Sequence, residues 1–308
     1  MSKFDSLWVE KYRPKELDDI ILSKHNRLIV EKFQKDNEIP NLLFVGPAGI
    51  GKTSLAKILT KSVLDSQYLY INASDENGID TIRTKVTGFS KVKSFDGTIK
   101  VIILDEVDGL TLDAQRALRN TMEEYSEFVR FILTANYKHR VIQALQSRCQ
   151  SLDLIPPQEG FTERCKHVLD SESVKLPEDL TKLDKLCKTL YPDLRKVINE
   201  IQKCTVNDEL IIDKIDINRK FVENLYKLVQ QGLVLKLRKT VIENESRFGG
   251  DYTELLRSLF NYIHDVDVNE SVKAQQLLVA AEHLYRMAFV VDPEINFFSC
   301  LVALSRTK

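Results

Sequence analysis

Residues 46–53 read Gly46-Pro47-Ala48-Gly49-Ile50-Gly51-Lys52-Thr53, and they match the pattern G-x-x-x-x-G-K-[ST]. Glycines let a backbone turn tightly and aim several N–H groups at one point. The lysine of this pattern neutralises phosphate, and the hydroxyl that follows it is placed to bind Mg²⁺. The pattern therefore predicts a loop that holds the phosphates of a nucleotide. The alternative is a glycine-rich turn in which the lysine has no special role.

The residues on either side of the loop favour the nucleotide interpretation. Leu42-Leu43-Phe44-Val45 is a short apolar run of the kind that forms a buried parallel strand. After the loop, residues recur at helical spacing, namely Leu55, Ile58, Leu59 and Ser62. A strand, a glycine loop and a helix in this order are the context that the motif requires.

The composition of the 308-residue chain is that of a soluble globular protein, with 43% hydrophobic and 29% charged residues. We expect two or three domains from this length. The 44 Lys and Arg residues nearly cancel the 45 Asp and Glu residues, so any DNA-binding surface must be a local patch. No apolar run approaches the roughly 20 residues of a membrane span, and residues 1–5 do not begin a secretory signal. These features predict an intracellular protein without a membrane partner.

The five cysteines are scattered along the chain and form no C-x-x-C pair. This spacing argues against a disulfide framework and against a structural zinc site. A reducing compartment fits this use of cysteine best.

The first half of the chain alternates strand-like and helix-like segments. The strand-like runs after the phosphate loop are residues 68–71, 101–104, 129–133 and, more weakly, 151–154. This β-α-β rhythm predicts a parallel sheet covered by helices on both faces. Pro156-Pro157 ends the rhythm and indicates a linker. Beyond it the pattern predicts helices only, over residues 161–172, 178–190 and 193–204 and from about residue 219 onward.

Two acids, Asp105 and Glu106, follow the apolar run of residues 101–104. Ligands of open α/β sheets bind at the carboxyl ends of strands, which places Asp105 beside the phosphate loop. Asp105 would then hold the Mg²⁺ shell, and Glu106 would polarise a water for attack on the γ-phosphate. Asn136 follows the next strand and could orient that water. Alternatively, the acids cap the next helix and Asn136 is a turn asparagine.

Taken in order with Ser147-Arg148-Cys149, these motifs resemble those of an AAA+ ATPase. The Ser-Arg-Cys element narrows the resemblance to clamp-loader ATPase subunits, similar to replication factor C small subunits and the phage T4-type sliding-clamp-loader large subunit. Three further segments resemble this family, namely residues 8–14, 113–123 and 192–196. The resemblance is close over residues 7–155 and loose over 156–204. Over 219–308 it rests on helical character and position.

The resemblance implies an α/β fold: a P-loop AAA+ parallel-sheet domain, a small helical lid domain and an all-α C-terminal collar domain. The expected bounds are residues 1–155, 156–216 and 217–308, the last serving oligomerisation. The implied cofactors are ATP and Mg²⁺. The implied partners are other clamp-loader subunits in a ring-shaped, pentameric assembly, a sliding clamp and primer–template DNA. Such a chain would be cytoplasmic in a prokaryote or phage and nuclear in a eukaryote.

The resemblance also assigns roles to matching residues. Glu106 is the catalytic base, Asn136 senses the γ-phosphate, and Lys52 and Asp105 complete the site. Arg148 is an arginine finger that enters the neighbouring subunit's ATP site, unless it is only a surface arginine. Thr53 and Asp105 bind the metal. The expected nucleotide contacts are Val9, Glu10, Lys11, Tyr12 and Ile21 around the base, Gly46, Gly49, Ile50, Gly51, Lys52, Thr53 and Ser54 around the phosphates, and Arg195 from the second domain.

Basic residues on two predicted helices are candidates for DNA contact, namely Arg83, Lys85, Arg116 and Arg119. In the family, equivalent helices follow the duplex backbone, and phosphate contacts of that kind give affinity without reading sequence. The apolar stripe of the helix over residues 112–125 is formed by Ala114, Leu118 and Met122, so its basic residues face elsewhere. Arg119 could instead pair with Glu123 on the surface. By resemblance, Gln115 couples the DNA chamber to the ATP site.

Two other functions remain open from the sequence. One is another AAA+ DNA-remodelling ATPase, such as a helicase loader or a branch-migration motor. A branch-migration motor is expected to carry a winged-helix module with a strand pair near its end, which this sequence does not predict. The other is a scaffold subunit that binds ATP without hydrolysing it.

Overall fold

The computed structural model describes residues 7–63, 66–92, 98–176, 180–212, 214–248 and 250–307. The chain divides into two compact units, Met1–Ile211 and Ile212–Lys308. The expectations for residues 1–5 and for the start of the 178–190 helix lie outside the described residues. Among the described helices, none combines the length and the apolar character that crossing a bilayer demands.

The first unit is built on a five-stranded sheet with the strand order β2-β3-β4-β1-β5. Its strands are β1 (Leu42–Val45), β2 (Tyr68–Asn72), β3 (Lys100–Asp105), β4 (Val129–Ala135) and β5 (Gln150–Asp153). All four strand pairings are parallel, as the sequence predicts. Alternate residues of β1 enter two different apolar clusters, Leu43 on one face and Phe44 on the other. Helices therefore cover both faces of the sheet.

Ten α-helices belong to the described part of the first unit. They are α1 (Trp8–Lys11), α2 (Lys24–Asp36), α3 (Lys52–Ile58), α4 (Ile79–Thr81), α5 (Thr87–Lys91), α6 (Leu112–Glu124), α7 (Gln143–Gln146), α8 (Gln158–Ser171), α9 (Thr181–Leu190) and α10 (Leu194–Cys204). The helix predicted to begin at Ile79 continues through a wider turn at residues 82–86 into α5. The predicted central helix is α6, which begins after Thr111, whose hydroxyl accepts a hydrogen bond from the Ala114 N–H.

The prediction of helices only beyond Pro157 is wrong at one place. The strands β6 (Thr205–Val206) and β7 (Glu209–Leu210) form a short antiparallel hairpin. Its turn residues Asn207 and Asp208 have φ values of 50° and 60°. Asn and Asp adopt this left-handed conformation more readily than other non-glycine residues, and two-residue hairpin turns need it. The strands are too short to show an alternating pattern in the sequence.

Residues 158–210, which comprise α8, α9, α10 and the hairpin, are called the lid region below. The proline pair before it is an ordered connection: Pro156 is buried, its carbonyl accepts from the Tyr191 hydroxyl at 2.6 Å, and Pro157 precedes α8 directly. The lid region also contacts the N-terminal segment, where the Trp8 N–H donates to Gln202 at 3.1 Å. These contacts place the lid region and the sheet within one compact unit.

The second unit contains only helices among residues 214–248 and 250–307. They are α11 (Lys214–Gln230), α12 (Val234–Glu243), α13 (Glu245–Phe248), α14 (Tyr252–Asp265), α15 (Glu270–Met287) and α16 (Pro293–Leu304). Their apolar faces share one core around Leu256, Leu259 and Phe297. The boundary expected between residues 216 and 217 falls inside α11, and the division into three domains stays a prediction.

Candidate active site

The strand order brings the sequence motifs to one edge of the sheet. Because β4 lies between β1 and β3, the residue after β4 lies between the phosphate loop and the acidic pair. This is the edge at which open parallel sheets bind ligands. Asn136 accordingly contacts Lys52 of the loop on one side and Asp108, two residues after the acidic pair, on the other.

The conformation of the phosphate loop requires glycine at two positions in particular. Gly49 and Gly51 have φ values of 77° and 94°, a region that strains other residues. A Cβ atom on Gly49 would also lie 1.8 Å from Oδ1 of Asp193, at the start of α10. The lid region therefore approaches the loop closely at this point.

Lys52 is almost fully buried at the centre of the site. Its Nζ donates to the carbonyl oxygens of Gly46 (2.8 Å) and Pro47 (2.7 Å) and to Oδ1 of Asn136 (2.8 Å). Burial lowers the pKa of Lys52, and the nearby carboxylates, Asp105 first among them, partly oppose this. A bound phosphate would favour the charged ammonium further. The contact to Asn136 joins the loop directly to the strand that carries the predicted sensor.

Three hydroxyl groups converge on the Asp105 carboxylate. Its oxygens accept from Thr53 at 2.8 Å, from Thr134 at 2.5 Å and from the Tyr70 phenol at 2.9 Å. Burial, followed by the neighbouring Asp105 charge, raises the pKa of Tyr70, which keeps the phenol a donor. No cluster of three or more His, Cys, Asp or Glu side chains that could hold a metal occurs in the part of the chain that the structure describes.

Glu106 adopts a left-handed backbone conformation, with φ 59°. This conformation costs a non-glycine residue about 1–2 kcal/mol and is found at functional sites. Hydrogen bonds at both ends hold it in place: its N–H donates to Oγ1 of Thr134 at 3.0 Å, and its carboxylate accepts from the Ser74 hydroxyl. Thr134 therefore orients Asp105 and Glu106 together.

A cavity of about 230 Å³ lies between the phosphate loop, the N-terminal segment and the lid region. Eleven residues predicted for the site line it: Val9, Tyr12, Ile21, Gly49, Ile50, Gly51, Lys52, Thr53, Ser54, Asp105 and Arg195. Further residues that were not predicted from the sequence also line the cavity, among them Arg13, Lys57, Tyr70, Phe161 and Ile198. Tyr70 could have been noticed as a polar group near the end of a predicted strand. Phe161 and Ile198 carry no such signal, because they read as ordinary apolar residues of helices.

Several predicted site residues lie outside the lining of this cavity. The Glu10 side chain accepts from Arg13 at 2.8 Å. The Lys11 ammonium lies 2.6 Å from Glu172, which also accepts from the Tyr12 hydroxyl at 2.7 Å. The two contacts to Glu172 tie the N-terminal segment to the residue that follows α8 in the lid region. Gly46 contributes its carbonyl to Lys52 rather than a wall of the cavity.

Arg148 also lies away from the cavity of its own chain. Its Nη1 donates to the carbonyl oxygen of Ala144 at 2.7 Å, and its Nη2 contacts the Glu123 carboxylate of α6. Glu123 therefore pairs with Arg148 and not with Arg119, the surface partner considered from the sequence.

The four basic candidates for DNA contact lie on elements that pack together. The turn at 82–86 contacts α6, and Arg83, Lys85 and Arg116 are exposed while Arg119 is half-exposed. Two of the four are held by acids of their own chain, Lys85 by Glu76 at 2.6 Å and Arg116 by Asp113 at 3.1 Å. Arg119 donates to its neighbour Asn120 at 2.7 Å.

The fold and the site together define an ATPase of the AAA class. The family model described as "ATPase family associated with various cellular activities (AAA)" matches residues 42–157, which contain all five strands of the parallel sheet and the residues converging on its edge. The chain is therefore an ATP hydrolase that binds nucleotide.

Two proteins of similar sequence define the family within this class. The replication factor C small subunit of Sulfurisphaera tokodaii is 33% identical over 312 residues, covering 97% of this chain and 95% of the relative. The replication factor C small subunit of Archaeoglobus fulgidus is 33% identical over 318 residues, covering 99% and 98%. The chain belongs to the replication factor C small subunit family.

A solved structure shares the fold at lower sequence identity. The Thermotoga maritima RuvB Holliday junction branch migration motor has a TM-score of 0.54 and 18% identity, covering 92% of this chain and 90% of that one. Identity at this level supports a common fold and carries no information about substrate.

The contacts of Lys52 predict its contribution to nucleotide binding. We expect Lys52→Ala to weaken ATP binding by about 10- to 100-fold, the effect of losing charge-assisted hydrogen bonds to phosphate. Titration with a fluorescent ATP analogue measures this loss. Lys35→Ala is the matched control, since Lys35 is an exposed lysine of α2 that lies outside the cavity lining. Equal affinities for wild type and Lys52→Ala would contradict the assignment of the phosphate loop.

Proposed function

We propose that this chain is an ATPase subunit of a sliding-clamp loader that acts in DNA replication. ATP binding and hydrolysis would open a ring-shaped clamp and load it onto primer–template DNA. Its partners would be other clamp-loader subunits in a pentameric ring, the clamp and the DNA. Identity of 33% to replication factor C small subunits over nearly the whole chain supports this assignment.

The proposal rests on the positions of the catalytic residues, which fall into two separate groups. Lys52, Thr53 and Asp105 line one cavity with Arg195, and hydrogen bonds join Asn136 and Glu106 to these residues directly or through Thr134. Arg148 instead contacts Ala144 and Glu123, on a half-exposed turn after α7. A guanidinium that does not serve its own site is available to a neighbouring subunit. We infer that ATP binds at the junction of two subunits and that each supplies part of the machinery. Turnover then depends on assembly.

The residues around Asp105 fit a Mg²⁺ ion. Thr53 and Asp105 offer hydroxyl and carboxylate oxygens, the hard donors that Mg²⁺ prefers, and Mg²⁺ commonly binds one or two protein ligands together with substrate phosphates. When bound, the ion neutralises charge on the β- and γ-phosphates. Tyr70 and Thr134 also donate hydrogen bonds to the Asp105 carboxylate, which fixes its orientation.

The remaining residues of the site position the attacking water and the phosphates. Glu106 would accept the proton of the water after its carboxylate leaves the Ser74 hydroxyl. Asn136 already contacts Lys52, and its backbone N–H donates to the Asp108 carboxylate at 3.2 Å, so the sensor and the loop keep a fixed separation. Arg195 would reach the nucleotide from the lid region and couple its closure to ATP.

Gln115 offers a route from α6 to this site. It is buried, its amide group donates to the Arg140 carbonyl at 3.1 Å, and its Oε1 accepts from the Ile142 N–H at 2.8 Å. These bonds fix the turn that directly follows Asn136. A DNA contact on α6 would therefore act on the sensor through the Gln115 side chain.

The two other functions are weaker candidates. A branch-migration motor shares the fold at 18% identity, against 33% for the clamp-loader relatives. A scaffold that binds ATP without hydrolysing it would not need Glu106 held in a strained conformation beside Asp105.

The ATPase rate with different DNA substrates tests the proposed function. We expect primed DNA together with the clamp to stimulate the assembled complex more than single-stranded DNA does. Stimulation by branched DNA junctions alone would favour the motor instead. A complex that hydrolyses ATP equally with every DNA, and with or without clamp, would contradict clamp loading.

The DNA assignment predicts a change in salt dependence. A phosphate contact contributes about −0.9 to the slope of log affinity against log salt concentration for duplex DNA. We expect Arg83→Ala to make the slope for primer–template DNA less steep by about one and to weaken binding equally for different sequences. Lys188→Ala, on the exposed end of α9, is the control and should leave the slope unchanged. An unchanged slope for Arg83→Ala would remove Arg83 from the DNA surface.

A further inference from the structure

One line of side chains on α6 faces the segment between the sensor and the predicted finger. Gln115, Arg119 and Glu123 lie at positions i, i+4 and i+8, so they share one face of the helix. Gln115 bonds the backbone of the turn at residues 140–142, near the start of this segment. Glu123 contacts Arg148 at its end. The two contacts join α6 to both ends of the segment from 137 to 148.

The contact with Glu123 leaves part of Arg148 available. One edge of the guanidinium is occupied: Nη2 contacts the Glu123 carboxylate and Nη1 donates to the Ala144 carbonyl. The guanidinium has further N–H donors in a rigid planar arrangement. The Arg148 side chain keeps 34% of its surface exposed. An arginine held in this way has one edge fixed by its own subunit and other donors free.

We propose that Glu123 is a positioning residue for Arg148, and that it orders the guanidinium before the neighbouring subunit's nucleotide arrives. This inference rests on the proposed function, in which Arg148 acts on an ATP bound by the adjacent subunit. A free arginine loses rotamer freedom when it binds phosphate, and that loss weakens the contact. Glu123 reduces the loss because both terminal nitrogens of the guanidinium are already held, Nη1 by the Ala144 carbonyl and Nη2 by the carboxylate.

The position of Glu123 on α6 gives the contact a second consequence. Arg119 lies between Gln115 and Glu123 on the same face, and it is one of the candidates for DNA contact. A shift of α6 on DNA binding would move Gln115 and Glu123 together. Asn136, the predicted sensor of this chain's own ATP site, and Arg148, the predicted finger for the neighbouring subunit's site, would then respond to the same helix.

Steady-state kinetics of the assembled complex test the role of Glu123. We expect Glu123→Gln to lower the kcat for ATP by about 2- to 10-fold, the range set by immobilising one rotamer-rich side chain. The KM for ATP and the binding of a fluorescent ATP analogue should stay unchanged, because Glu123 is not in the cavity lining. Glu124→Gln is the matched control, since Glu124 is the exposed neighbour on the same helix and should keep the wild-type kcat.

A double-mutant cycle separates positioning from a general loss of structure. If Glu123 acts through Arg148, the double variant Glu123→Gln/Arg148→Ala has the same kcat as Arg148→Ala alone. A double variant whose kcat falls by the product of the two single-variant decreases would overturn the proposal. An unchanged or raised kcat for Glu123→Gln would overturn it too. A wild-type rate for Arg148→Ala would instead overturn the shared site itself. The failure of this inference and that of the proposed function therefore give different results.

Discussion

Replacing Arg148 with alanine is expected to reduce ATP turnover by the assembled complex by about 10³-fold or more. A guanidinium added at the transition state of phosphoryl transfer is worth about 10³–10⁵ in rate. Arg148 lies outside the cavity of its own chain, so the loss should appear at the neighbouring subunit's site while the variant chain still binds ATP. Arg148→Lys should recover little of the rate, because an ammonium lacks the planar pair of donors.

Stimulated turnover of the complex under saturating ATP measures the loss at Arg148. Arg257→Ala is a matched control, since Arg257 is an exposed arginine of α14 in the second unit. Turnover within a few-fold of wild type for Arg148→Ala would mean that no neighbouring site depends on this side chain.

Glu106→Gln is expected to lower the kcat of the assembled complex by about 10²–10⁴-fold, the usual contribution of a general base. The amide cannot take a proton from the attacking water, but it keeps the shape of the side chain. ATP affinity should be preserved, because Lys52 and the loop are untouched. Single-turnover hydrolysis and binding of a fluorescent ATP analogue measure the two quantities separately.

The control for this variant is Glu127→Gln, an exposed glutamate after α6. A Glu106→Gln complex that hydrolyses ATP at the wild-type rate would point to another base or to the scaffold function. Loss of ATP binding together with hydrolysis would show that Glu106 supports the fold of the site, through its left-handed backbone, rather than the chemistry.

Much of the first unit could be predicted from the sequence because its signals are local. The apolar runs of β1 and β3 are buried in a parallel sheet and therefore read as continuous stretches. The phosphate loop contains glycines at the positions where its backbone requires them. The acids after β3 and Asn136 after β4 could be placed at one edge, because parallel strands share a direction.

Contacts between distant segments could not be predicted, because they depend on strand order and on packing. Tyr70 reaches Asp105 only because β2 pairs with β3. Asp193 approaches Gly49 through the packing of the lid region, and Lys11 is drawn away to Glu172 for the same reason. In each case the partners are more than 30 residues apart in sequence, and no local pattern links one to the other.

The ion pair of Arg148 with Glu123 shows the same limit in a functional residue. On α6 alone, Arg119 and Glu123 at i, i+4 form a plausible surface pair. In the fold, the turn after α7 brings Arg148 to Glu123, and Arg119 bonds Asn120 instead. Helical spacing gives the possible partners, and tertiary packing decides between them.

The most direct test of an ATP site shared between subunits is the turnover rate per chain for a verified monomer and for the assembled complex. A shared site predicts weak turnover by the monomer at saturating ATP and a large increase on assembly, which Arg148→Ala abolishes. A monomer that hydrolyses ATP as fast as the complex, with no effect of Arg148→Ala in either state, would contradict it.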